Sequence, residues 1–344
     1  MPLHNVAIMT DLTQKFADFP LVQAYHKLDG RIKVFGLLLF LVALPWMVGS
    51  YWTQVLFIVG LYVMMGIGLN VAVGFAGLLV LGYAAFYGIS AYAYVLLVRA
   101  FVPNPAQNYT HVFWFLIPVC IFVALIVGAL LGIPVLRTRG DYLAIVTLGF
   151  GEIVRLVLNN MDNITKGPQG LSGKAPALFS IQFKDPIHFY YLILAGCVIA
   201  IFVADRLNNS RLGRAWIAMR EDEDVARAMG INVNKYKLLA FAIGASFAGA
   251  GGAIFAARQG TIFPSDFTLL VSINVLCLIV IGGMGSIPGI VLGSVILMGL
   301  PEVLREVQQY RLLAYGFLLI IMMRFRPEGF IPSARRKLEF ERGD

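Results

Sequence analysis

Arg206–Lys237 reads RLNNSRLGRAWIAMREDEDVARAMGINVNKYK and lies between two strongly apolar runs, so it marks where the chain leaves an apolar environment. It carries seven Lys/Arg (Arg206, Arg211, Arg214, Arg220, Arg227, Lys235 and Lys237) and four consecutive acids, Glu221 to Asp224. A small-residue helix follows, which Gly230 can terminate. Neither a lipid-facing segment nor a simple turn requires that pattern, and it reads as a docking surface on a membrane protein.

Working outward, the chain is 59% hydrophobic and 13% charged, with a mean hydropathy of +0.80. Its apolar runs are long enough to cross a hydrocarbon core of about 30 Å at about 1.5 Å per helical residue. The expected fold is an all-α polytopic bundle of about ten transmembrane helices: 33–50, 54–74, 80–99, 112–135, 142–159, 187–204, 238–257, 268–284, 288–304 and 312–323. The expected organisation is a segment 1–32, a permease-like membrane domain 33–324 and a tail 325–344. Two excursions interrupt the domain, the docking loop 206–237 and a loop 160–186 on the opposite face.

Basic residues set the orientation, because Lys and Arg in short loops are retained on the cytoplasmic side. Ten spans put both termini on the side of the docking loop, which then holds 19 of the 27 Lys/Arg, against seven on the other face and Arg155 within a span. Both termini are therefore expected in the cytoplasm. The net charge of +8 reflects topology rather than nucleic-acid binding.

Residues 1–33 are mixed polar, with no early apolar stretch before a cleavage site, so no cleaved signal peptide is expected. Phe16, Phe19, Leu21, Val22 and Tyr25 suit an interfacial helix or a locally helical disordered segment. Cys120, Cys197 and Cys277 fall in different spans without metal or redox spacing and read as buried apolar residues. The loop 160–186, rich in Gly, Pro, Asn and Ser, favours ordered turns over a long helix. It is either a meeting point for a solute or delivery protein, or a passive connector.

Glycines break the helical monotony twice, at Gly66–Tyr92 and at Ile281–Pro301. Interrupted helices at membrane depth are tolerated where they are buried or line a cavity, and paired interruptions mark the sites of repeat-built transporters. Close helix packing is the alternative. GGMGSIPG lacks the lysine and preceding strand of a phosphate loop, so no nucleotide site is expected on this chain, and without a ligand cluster in the spans no metal or other cofactor is expected either. Within the spans the clear charged pair is Glu152 and Arg155, three residues apart on one helix face, where each lowers the other's insertion cost. All four histidines lie outside the spans or at their edges, which leaves no proton relay and no hydrolytic centre.

The ordered blocks GLNVAVGFAGLLVLGYAAFYGISAYAY, IPVLRTRGDYLAIVTLGFGEIVRLVLNN, GRAWIAMREDEDVARAMGINVNKYK, IGGMGSIPGIVLGSVIL and RFRPEGFIP resemble the M-type permease subunits of branched-chain amino-acid ABC importers, over roughly Arg31 to Pro332. The resemblance implies a multi-pass bacterial inner-membrane subunit that is not itself an enzyme. It also implies partners: a second permease subunit of the LivH type, two ATPase subunits of the LivG and LivF type, and a soluble amino-acid-binding protein. Arg220 to Ile231 is similar to the family's coupling loop. The residues expected to meet an ATPase are Arg220, Glu221, Asp222, Glu223, Ala226, Ala228, Met229, Gly230 and Ile231, with the acids free to pair with a basic partner.

The translocation path is expected at Asn70, Gly74, Gly77, Tyr83, Tyr87 and Ser90 near the first break, and at Gly282, Gly283 and Gly285 in the second. The polar four, Asn70, Tyr83, Tyr87 and Ser90, serve equally well as interhelical packing contacts. Substrate choice stays open among leucine, isoleucine, valine, other neutral amino acids and amide-like solutes such as urea. A stand-alone secondary transporter and a non-transport membrane scaffold or enzyme are the readings from other classes.

Overall fold

A computed structural model describes residues 30–102, 109–135, 140–178, 181–183 and 185–303, with isolated positions between 313 and 331. Contacts divide the chain into two units, Met1–Trp52 and Thr53–Asp344. Helix α1, Gly30–Asn70, starts in the first unit and has 41 residues. At about 1.5 Å per residue such a helix would be about twice the hydrocarbon thickness. Pro45 removes a backbone donor and Gly49 leaves helical geometry (φ 77°, ψ 172°), which splits the stretch where spans 33–50 and 54–74 were expected to separate.

The second unit continues with α2 (Tyr83–Phe101), α3 (Phe113–Val135), α4 (Asp141–Asn160) and the single turn α5 (Asp162–Thr165). After α6 (Pro186–Asn208) come α7 (Arg211–Glu221) and α8 (Glu223–Ala228), then the long α9 (Val233–Gln259). Helices α10 (Leu269–Gly282), α11 (Ile287–Ser294) and α12 (Leu300–Val303) close the described order. Seven described helices are long and apolar enough to cross a membrane, and no closed barrel accompanies them. The expected span 288–304 falls on a shorter apolar helix, Ile287–Gly299. The expected span 312–323, the tail 325–344, the interfacial helix at residues 16–25 and the basic pair Arg137 and Arg139 lie wholly or mostly outside the described residues.

Helix α9 is the centre of the packing. Cys120, Ala124 and Gly128 recur every fourth residue on α3 and meet Phe241, Ala245 and Gly249, which recur likewise on α9. A Cβ added at Gly128 would stand 2.5 Å from the Ala245 Cβ, and one at Gly249 would stand 2.5 Å from the Ala124 Cβ. Hydrocarbon tails provide no hydrophobic drive between helices, so close approach of small residues is what holds such a pair. The opposite stripe of α3, Phe115, Phe122, Leu130 and Ile133, is exposed, as a lipid-facing stripe should be.

The excursion 160–186 is short pieces: α5, a 3₁₀ turn at Gly167–Gln169, and strands β2 (Leu171–Ser172), β3 (Ala175–Leu178) and β4 (Ile181–Gln182). Strand β1 (Tyr109–Thr110) runs parallel to β3, β3 pairs antiparallel with β4, and β2 pairs antiparallel with β5 (Thr261–Ile262). These pairings join the loops at one end of α2, α4 and α9. Helices α7 and α8 occupy the other end, where α9 begins.

Candidate functional site

The first interruption begins where α1 gives way to a π-helical turn, Val71–Phe75, and runs as irregular backbone to α2. Backbone groups freed at membrane depth must find partners, and side chains of neighbouring helices supply them. The Leu81 N–H donates to Thr147 Oγ1 on α4 (3.0 Å), and the Ala84 N–H donates to Ser272 Oγ on α10 (2.8 Å). The Leu78 N–H reaches back to the Ala72 carbonyl (2.9 Å). Thr147 and Ser272 are fully or almost fully buried, and neither stood out in the sequence. A hydroxyl on an apolar helix is the only signal that would have found them.

The second interruption lies between α10 and α11, where Gly283 and Gly285 both have positive φ. A Cβ on Gly282 would run into the Gly289 carbonyl and one on Gly289 into the Gly282 carbonyl, so the two short helices meet backbone to backbone. The Phe330 and Ile331 N–H groups, from the RPEGFIP block, donate to the Ile281 and Gly282 carbonyls at 2.9 and 3.0 Å. The two interruptions touch. Asn70, 1% exposed, accepts the Gly285 N–H on its Oδ1 at 2.9 Å across 215 residues of sequence. Asn70, Gly74 and Gly285 thus form one contact, with Gly282 and Gly283 directly behind it.

Tyr83, Tyr87 and Ser90 belong to different surroundings. Tyr83 Oη donates to the Gly244 carbonyl (2.9 Å) and Ser90 Oγ to the Gly249 carbonyl (2.6 Å), tying α2 to α9. The Tyr87 ring packs against Phe255 and Phe267, with centroids 5.3 and 5.2 Å away. Glu152 and Arg155 form their pair, with Nε and Nη2 of the arginine 2.9 and 2.8 Å from Glu152 Oε2. Each is about a third exposed, on a helix that also exposes Ile145, Ile153 and Leu156.

The docking segment is built by local capping. Ser210 caps α7 through the Leu212 and Gly213 N–H groups (3.1 and 3.3 Å), and Asp222 caps α8 through those of Asp224 and Val225 (2.8 and 3.0 Å). Gly230, at φ 84°, ends α8: its N–H donates to the Arg227 carbonyl and the Ile231 N–H to that of Ala226, both at 3.0 Å. This double bond pattern needs a left-handed residue, which glycine adopts without strain. Trp216, fully buried, donates from Nε1 to the Tyr236 carbonyl (2.8 Å) and fixes α7 to the start of α9.

Charges expected to face a partner divide into two sets. Glu223 turns inward, 2.8 Å from the Nζ of Lys237, which is 3% exposed, and also bonds Arg227 at 3.1 Å. Arg220 turns inward as well and donates from Nη1 to the Gly74 carbonyl at 2.7 Å. Glu221, Asp222, Ala228, Met229 and Gly230 are exposed, Ile231 is half-buried and Ala226 is buried. Val225 on α8 and Met229, its C-cap residue four positions on, expose an apolar face in otherwise polar surroundings. Val225 was missed because a lone valine beside four acids gives no sequence signal. A cavity of about 290 Å³ separates this segment from the first interruption, with Gly77, Leu78, Met219, Arg220, Glu223 and Lys237 in its wall.

Residues 51–325 match the family described as the permease component of the branched-chain amino acid transport system. The chain is 41% identical over 337 residues to the high-affinity branched-chain amino acid transport system permease protein LivM of Escherichia coli (strain K12), covering 91% of this chain and 77% of that one. LivM of Salmonella typhimurium is matched to the same extent. The LivH permease protein of Salmonella typhimurium is 25% identical over 295 residues, 78% of this chain and 91% of that one. No solved structure matches.

Proposed function

The chain belongs to the branched-chain amino-acid transport permease family as a multi-pass inner-membrane permease of an ABC importer, and from that premise we propose what it carries and how it is driven. It moves leucine, isoleucine and valine inward through a path that opens where its two interrupted helices meet. The Asn70–Gly285 bond carries this reading, because a hydrogen bond between two irregular backbone segments is a contact that a small rearrangement can break and remake. A zwitterionic solute needs no fixed counter-charge there, since freed N–H and carbonyl groups can solvate its ends.

The chain works with an H-type permease subunit, two ATPases and a soluble amino-acid-binding protein. ATP hydrolysis takes place on the ATPases, whose cleft receives α8 with Val225, Met229 and Gly230 outermost. Ten spans, read from apolar run length, place both termini in the cytoplasm by the basic-residue bias, and the break inside α1 at Gly49 supports counting two spans there. The segment divisions 1–32, 33–324 and 325–344, and the excursion 160–186 as the meeting place of the binding protein, belong to the same reading.

The test is competition for uptake in vesicles holding the whole complex. Unlabelled isoleucine and valine are expected to suppress labelled leucine uptake, while urea and acetamide leave it unchanged. Suppression by the amides and not by the amino acids would overturn the substrate assignment.

A further inference from the structure

Gly74 sits between the two parts of the site. In a regular helix its carbonyl would accept from the Leu78 N–H, but that N–H is diverted to the Ala72 carbonyl, so the Gly74 oxygen is left for another donor. Arg220 Nη1 takes it at 2.7 Å. The arginine stem crosses bare backbone to get there: a Cβ on Gly77, itself at φ 70°, would stand 2.8 Å from Arg220 Cγ. On its other side, a Cβ on Gly74 would collide with Asn70 Oδ1 and stand 2.7 Å from the Gly285 nitrogen. Arg220, Gly74, Asn70 and Gly285 are therefore in direct succession, with only the short Asn70 side chain joining the last three.

The base of Arg220 is equally fixed. Met219 beside it is 4% exposed and Trp216 is fully buried, while Asp222, two residues on, caps α8. The buried Lys237–Glu223 pair holds the first residue of α8 against α9. A displacement of α8 thus reaches Arg220 across a junction of one residue, Asp222.

We propose that Arg220 is a positioning residue that transmits displacement of α7 and α8 to the Asn70–Gly285 contact, so that it serves coupling from inside the chain instead of binding the ATPase. This rests on the reading of α8 as the ATPase-docking helix. Arginine suits the task because its charged, planar donor group holds one carbonyl strongly at the end of a long reach.

The experiment measures leucine uptake and ATP hydrolysis on the same vesicles, reconstituted with the complete transporter, for wild type, Arg220→Ala, Arg220→Lys and the exposed control Arg214→Ala. Arg220→Ala is expected to assemble and hydrolyse ATP while uptake per ATP falls about tenfold, a size typical of coupling between sites. Arg220→Lys should recover part of the ratio and Arg214→Ala all of it. An unchanged ratio in Arg220→Ala, or a parallel loss of uptake and hydrolysis, would overturn the proposal and leave the transport reading standing. Should Arg220→Ala fail to assemble, Arg220→Gln decides, with a lowered ratio in support and a wild-type ratio against. Wild-type vesicles that hydrolyse ATP without importing leucine would overturn the transport reading and this proposal with it.

Discussion

Asn70 and Glu223 show how single side chains hold this site together. Replacing Asn70 with alanine removes the acceptor for the part-buried Gly285 N–H, and the cost lies at or below the ~1–3 kcal/mol of a fully buried unpaired donor. Asn70→Ala is therefore expected to unfold at a lower temperature in detergent than wild type, and an unchanged midpoint would count against the contact. Glu223→Gln leaves the buried Lys237 without its charge partner, and because Glu223 is itself about a fifth exposed the cost falls below the roughly 3 kcal/mol of a fully buried pair broken from one side. Adding Lys237→Met should return most of that stability, and a double variant no better than the single would show that the pair does not act as a unit. Asn70 was legible in the sequence as a polar residue beside a glycine cluster. Its partner was not, because nothing local links position 70 to position 285.

Among the elements, α8 was the most legible. Asp222, the small residues and Gly230 spell out a capped turn of helix, and capping is a local property that needs no tertiary knowledge. The inward turn of Arg220 and Glu223 was not legible, since both the Gly74 carbonyl and Lys237 become neighbours only through packing. The same holds for Tyr83 and Ser90, whose hydroxyls answer carbonyls on α9 that the glycines of that helix leave accessible. Val225→Asp with Met229→Asp places charge on the exposed face made by Val225 and the C-cap residue Met229, and leaves the Asp222 N-cap and the left-handed Gly230 in place. This pair is expected to abolish co-purification of the ATPases while the permease still inserts and keeps its thermal midpoint. Undiminished capture would move the docking surface elsewhere.

Over the described residues, apolar run length located the seven long apolar helices, and the break expected between the first two spans falls beside Gly49, where the stretch leaves helical geometry. Basic-residue bias predicts that reporters fused to the two ends of the chain report the same, cytoplasmic compartment, and opposite compartments would require an odd number of spans. The proposed drive for this permease is ATP hydrolysis on separate ATPase subunits. The direct measurement is labelled leucine uptake into vesicles carrying the assembled transporter, with active ATPases or with ATPases whose phosphate-loop lysine is replaced. Accumulation with active ATPases and ATP alone is the predicted result. Equal accumulation with the inactive ATPases, or without ATP, would contradict it.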